Sequence, residues 1–213
     1  MKCDKKAMLL YAVTDRTWLN GKTLAEQVEC ALKGGATCIQ LREKELDEKS
    51  FLAEAVEIGI LCRRYGVPFF INDNVEIAVQ CGASGVHVGQ SDMKAKEVRR
   101  LIGEKMILGV SAHTVDEAVE AEKNGADYLG IGAVFSTSTK LDASYVPYET
   151  IQEIRRAVSI PLVAIGGIYK DNIMQLAGSG VDGVALVSAI FSAADIEAEC
   201  RRLKALSEAM ISA

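Results

Sequence analysis

A single-domain (β/α)8 TIM barrel is the fold that this 213-residue sequence predicts. Three observations carry the prediction. Short apolar runs recur at residues 8–14, 38–42, 68–72, 85–89, 106–111, 128–134, 161–165 and 183–188. They are near-continuous rather than alternating, as expected of parallel strands covered on both faces. Amphipathic helical patterns fill the intervals, and Gly-Ala or Gly-Val steps (Gly35-Ala36, Gly66-Val67, Gly82-Ala83, Gly125-Ala126, Gly180-Val181) divide helix from strand.

The helical intervals show a 3.6-residue period. Phe51, Ala55, Ile58, Cys62 and Tyr65 form one apolar stripe, with Glu48, Glu54, Glu57 and Arg64 off it. Val115, Ala118, Val119 and Glu122 repeat the pattern, and Thr114 before them suits an N-cap. Glycine after a helix suits the left-handed residue that ends it. Eight such units in a chain of this length match a compact barrel over residues 1–213, without a linker or a low-complexity tract. An open doubly wound sheet is the alternative, but no GxGxxG follows the first strand.

Composition narrows the function. Hydrophobic residues make up 49% and the net charge is −5, which excludes a disordered chain and gives no electrostatic case for nucleic acid. No apolar run approaches the roughly 20 residues of a membrane span, and residues 1–6 show no signal-peptide pattern and are expected to lead straight into a strand. The six cysteines form no CxxC pair and lie mostly in apolar patterns. A reduced cytoplasmic protein is expected, and two histidines without clustered thiols argue against zinc. Homo-oligomerisation is left open.

In a barrel, the chemistry gathers at the C-terminal ends of the strands. Gln40-Leu41-Arg42-Glu43-Lys44 follows the second run and places cations at the rim, unless it is a solvated cluster opening a helix. Asp73 follows the third run and Asp92 the fourth, so the two share one sector of the mouth. Two carboxylates with water and phosphate oxygens suit Mg²⁺, whereas two helix N-caps would account for the same residues. Ser111-Ala112-His113 follows the fifth run, His113 being a candidate base or a capping residue. His87, inside the fourth, is expected to be a hydrogen-bonded residue of the barrel interior. Ser136-Thr137-Ser138-Thr139-Lys140 opens a connection of about 12 residues to the helix near Tyr148, a length typical of lids and binding loops. Gly166-Gly167-Ile168 and Val187-Ser188 end the last two runs, the common phosphate site of this fold.

With these motifs assembled, the chain resembles the thiamine phosphate synthase (thiamine-phosphate pyrophosphorylase) family over nearly its whole length. The matching motifs are Gln40-Leu41-Arg42-Glu43-Lys44, Asn72-Asp73, Gly85-Val86-His87-Val88-Gly89-Gln90 with Asp92, Gly109-Val110-Ser111-Ala112-His113, Thr137-Ser138-Thr139-Lys140 and Ala164-Ile165-Gly166-Gly167-Ile168. The resemblance implies that a pyrimidine diphosphate and a thiazole phosphate are joined with release of pyrophosphate. It implies Mg²⁺ on Asp73 and Asp92. It implies the pyrimidine diphosphate on Gln40, Leu41, Arg42, Glu43, Lys44, Asn72, Ser111 and Lys140, of which Arg42, Lys44, Ser111 and Lys140 would serve catalysis. It implies the thiazole phosphate on Thr137, Ser138, Thr139, Gly167, Val187 and Ser188.

Two positions depart from the family pattern. Ala133 stands where many members have proline, and residues 144–148 lack the glycine usually reached before the next helix. Two rival readings are a thiazole tautomerase, which resembles the chain at the monophosphate pocket but carries histidine at the position of Ala133, and a non-catalytic phosphate-binding barrel. The second would have no use for paired carboxylates opposite a phosphate pocket.

Overall fold

The computed structural model describes residues 3–136 and 145–213. Eight parallel strands close into a barrel in chain order: β1 (Leu10–Val13), β2 (Cys38–Leu41), β3 (Phe69–Asn72), β4 (Gly85–Val88), β5 (Ile107–Ala112), β6 (Tyr128–Ile131), β7 (Leu162–Ile165) and β8 (Gly183–Leu186). Each falls within its expected run or one residue beyond it. Before β1 the chain makes a 3-10 turn at Lys5–Met8 rather than passing straight into the strand. The sixth run is interrupted: β6 stops at Ile131, then Val134 and Phe135 donate their N–H groups to Ile165 and Gly166 and resume the pairing with β7.

The helices are α1 (Leu24–Lys33), α2 (Glu48–Tyr65), α3 (Val75–Gln80), α4 (Ala95–Ile102), α5 (Val115–Lys123), α6 (Tyr148–Ala157), α7 (Ser188–Phe191) and α8 (Ile196–Ser212). Between β7 and β8 the crossover contains only a 3-10 turn, Ile173–Leu176. Thr114 caps α5, accepting from Glu117 N–H. The predicted stripe of α2 buries Phe51, Ala55, Ile58 and Cys62. Along α5 the expectation fails at Val119, which faces solvent while Ala121 takes the buried place. All five punctuating glycines adopt positive φ; at Gly66 it is 67°, ending α2 with a left-handed residue that a β-carbon would disfavour.

Two apolar layers result. Side chains facing outward from the strands meet the helices in the larger core. Those facing inward, led by Met8, Tyr11, Cys38, Phe70 and Tyr128, fill the barrel. No helix among the described residues is long and apolar enough to cross a membrane.

Candidate active site

A cavity of about 580 Å³ opens at the C-terminal mouth of the barrel, a size suited to small ligands. Gln40, Arg42, Lys44, Asn72, Asp73, Asp92, Ser111, Gly167, Val187 and Ser188 all line it. Two candidates do not. Leu41 is fully buried in the outer core, and Glu43 turns away to pair with Arg16 at 2.7 Å. Strand alternation is the reason: with Gln40 inward, Leu41 must face the helices. Thr137, Ser138, Thr139 and Lys140 lie outside the described residues.

On one side of the mouth, the two aspartates are free of the helix-capping role. Asn74 caps α3, accepting from Ile77 N–H, and α4 begins after Lys94 with no side-chain cap. Asp73 holds φ at 61°, an uncommon conformation for a non-glycine residue. Its Oδ2 receives Lys44 Nζ at 2.5 Å. Asp92 Oδ2 accepts the Gly89 N–H at 2.7 Å. Burial raises the Asp73 pKa above the ordinary carboxylate value, Lys44 works against the shift, and the neighbouring Asp92 carboxylate adds to it. Two neighbouring carboxylates at one corner of the mouth are a donor set that fits a cation. No group of three or more potential metal-ligating side chains exists among the described residues. The site therefore suits an ion that keeps waters and phosphate oxygens rather than an all-protein cage.

On the other side, the Gly166-Gly167 turn follows β7 with φ of 98° and 66°. A β-carbon at Gly167 would lie 2.3 Å from the Ser136 carbonyl oxygen, so only glycine fits between the two loops. Asn172, which the sequence reading did not single out, holds the turn. Its Nδ2 donates to Gly167 O at 2.8 Å and its Oδ1 accepts from Tyr169 N–H at 2.7 Å. The Tyr169 hydroxyl lies 2.6 Å from Ser188 Oγ, tying the β7 and β8 loops together.

Below the mouth runs a chain of polar groups within the aromatic interior. Gln40 Nε2 donates to Tyr11 Oη at 2.8 Å. Tyr11 Oη lies 2.9 Å from Tyr128 Oη, which lies 2.9 Å from His87 Nδ1. His87 Nε2 reaches Ser111 Oγ at 3.0 Å. His87 is thus the hydrogen-bonded interior residue expected. Burial pushes both phenols well above their ordinary range, so they remain neutral. His113 pairs with Glu117 (Nδ1 to Oε2 3.1 Å) at the start of α5 and also lines the cavity. Tyr11 and Tyr128 were invisible as site residues because a tyrosine in an apolar run reads as core.

The base of the long connection is pinned where it is described. Val146 is buried and donates its N–H to Ala133 O at 2.8 Å, so the missing glycine does not prevent the chain from closing on β6.

A closed parallel barrel with such a polar mouth cavity is an enzyme barrel acting on small molecules. The chain belongs to the thiamine monophosphate synthase family, whose model matches residues 10–190, and it is accordingly a transferase. It is 51% identical over 194 residues to the thiamine-phosphate synthase of Ruminiclostridium cellulolyticum, covering 91% of this chain and 92% of that one. To the thiamine-phosphate synthase of Clostridioides difficile it is 50% identical over 198 residues, covering 93% and 94%. Among solved structures, thiamine phosphate pyrophosphorylase from Pyrococcus furiosus superposes with a TM-score of 0.90 at 38% identity, covering 97% of this chain and 98% of that one. These relatives support the synthase reading and not the tautomerase.

Proposed function

We propose that the chain condenses 4-amino-5-hydroxymethyl-2-methylpyrimidine diphosphate with 4-methyl-5-(2-phosphooxyethyl)thiazole, giving thiamine phosphate and pyrophosphate. The observation that carries this reading is a single cavity lined by Asp73, Asp92, Arg42 and Lys44 on one side and by Gly167, Val187 and Ser188 on the other. One side suits a diphosphate and the other a monophosphate.

Asp73 and Asp92 would hold Mg²⁺, which when bound neutralises charge on the diphosphate. Cleavage of the methylene carbon–oxygen bond sends the electron pair out with pyrophosphate and leaves a pyrimidinyl-methyl cation that the aminopyrimidine ring delocalises. Arg42, Lys44 and Lys140 counter the charge gathering on the leaving group. Gln40, Asn72 and Ser111 orient the pyrimidine side. The thiazole ring nitrogen then attacks the cation with its lone pair. That nitrogen carries no proton, so the step needs no general base. Gly167, Val187 and Ser188, with Thr137, Ser138 and Thr139, hold the thiazole phosphate. Leu41 and Glu43 support the rim from behind. The setting is a cytoplasmic barrel domain spanning residues 1–213.

Pyrophosphate release measured with each substrate omitted in turn tests the reading. Release is expected only when both are present. Release from the pyrimidine diphosphate alone, or isomerisation of a thiazole phosphate without it, would overturn the assignment.

A further inference from the structure

The interior chain from Gln40 to Ser111 accommodates one donor direction from end to end, starting at Gln40. Each phenol has one proton to give, and Tyr11 Oη already accepts from Gln40 Nε2 at 2.8 Å. That leaves its own proton to give, and Tyr128 Oη is an acceptor within reach at 2.9 Å. In that direction Tyr128, having accepted, offers its proton to His87 Nδ1 at 2.9 Å. A neutral imidazole that accepts at Nδ1 carries its proton on Nε2. That proton points to Ser111 Oγ at 3.0 Å, and the Ser111 hydroxyl proton is left for the cavity that Ser111 lines.

The strands hold the chain in place. In the parallel register, His87 on β4 pairs with Gly109 on β5, and Gly109 pairs with Tyr128 on β6. A β-carbon at Gly109 would lie 2.2 Å from the Tyr128 ring, so this glycine is what lets the phenol span two strands to reach His87. Phe70 meets Tyr128 edge-on at 5.6 Å and an interplanar angle of 84°, fixing the ring from the other side.

We infer that Tyr11 and Tyr128 are positioning residues that fix His87 as its Nε2–H tautomer and make Ser111 a hydrogen-bond donor to the substrate ring. A heteroaromatic ring presenting an unprotonated nitrogen matches such a donor. This inference rests on the proposed placement of the pyrimidine diphosphate beside Gln40 and Ser111.

The test uses the full-length ¹⁵N-labelled enzyme. The sequence contains two histidines, so His113→Gln assigns the imidazole signals to His87. In the ligand-free wild type, His87 is expected to show a protonated Nε2 and a bare Nδ1; a protonated Nδ1 overturns the inference. Tyr128→Phe keeps the ring and breaks the chain. It should mix the two tautomers and raise KM for the pyrimidine diphosphate about three- to tenfold, the range of one lost hydrogen bond. KM for the thiazole phosphate should move less than about twofold, because the change is confined to one ligand's hydrogen bonding. Tyr11→Phe leaves Tyr128 able to donate and should show a smaller effect in the same direction. Unchanged tautomer and kinetics in Tyr128→Phe, or equal shifts in both KM values, overturn the inference. If Tyr128→Phe does not fold, the wild-type tautomer and Tyr11→Phe decide. Failure of the proposed reaction would appear separately, as wild-type enzyme that releases no pyrophosphate while the His87 signals remain readable.

Discussion

Lys44, just beyond β2, places its Nζ 2.5 Å from Asp73 Oδ2 at the end of β3. The ammonium occupies one oxygen of a carboxylate that also faces Asp92, so charge at this corner is finely balanced. Asn tolerates the φ of 61° that Asp73 adopts. Asp73→Asn should therefore fold with an unchanged or slightly higher Tm. The wild type should gain about 5–10 °C at a Mg²⁺ concentration about 100 times its Kd, a gain that Asp73→Asn loses together with about 100-fold or more in kcat. Thermal melts with Mg²⁺ and with EDTA, paired with pyrophosphate release, check both. Full wild-type activity in excess EDTA would sink the metal site.

Asn172 shapes the corner proposed for the monophosphate without itself lining the cavity. It bridges Gly167 O and Tyr169 N–H, and the turn it holds has no room for a side chain at Gly167. Asn172→Ala should raise KM for the thiazole phosphate about tenfold, the loss of one to two hydrogen bonds, with little change for the pyrimidine diphosphate. Gly167→Val should do the same more severely. Equal effects on both substrates would place the phosphate elsewhere.

Glu122 ties α5 to the approach of β7, its Oε1 accepting from Ser159 N–H, Ser159 Oγ–H and Ile160 N–H at 2.9, 2.7 and 3.2 Å. Burial works to raise its pKa, but the Ser159 and Ile160 hydrogen bonds prevail and hold it below the ordinary 4.5. Its contribution to stability is thus complete above that value and is lost as pH falls through the lowered folded-state pKa. Glu122→Gln should cost about 0.5–1 kcal/mol at neutral pH, allowing for its partial exposure. The gap between variant and wild type should close in strong acid. Urea melts across the pH range measure it, and a gap that widens in acid would contradict the assignment.

The barrel was legible because strands covered on both faces must be apolar throughout, and because residues such as Gly66 and Gly125 mark helix ends by a conformation few others adopt. The rim was legible for a related reason: Arg42, Asp73 and Asp92 are charges placed where apolar runs stop. What the sequence concealed depends on direction and on distant neighbours. Leu41 and Glu43 sit in the same motif as Gln40 and Arg42, yet alternation turns them out of the cavity. Tyr11 and Tyr128 are 117 residues apart, and only barrel closure brings their hydroxyls to 2.9 Å. Asn172 looked like any polar loop residue until its two backbone partners were in view.

Lys140 lies outside the described residues, and its prediction rests on sequence and chemistry. It ends a Ser/Thr run in a connection whose flanks are fixed, with Phe135 N–H bonded to Gly166 O and Val146 N–H to Ala133 O. A charge change in such a connection rarely moves folding free energy by more than about 0.5 kcal/mol. Countering the charge that builds on departing pyrophosphate is a transition-state interaction, and losing one such group costs about 100- to 1,000-fold in kcat. Lys140→Ala should therefore keep a near-native Tm while kcat collapses. Lys140→Arg should rescue only in part, because a planar guanidinium does not reproduce a compact ammonium. Retention of most of kcat in Lys140→Ala, or its unfolding, would remove Lys140 from the leaving-group site and leave Arg42 and Lys44 as its cations.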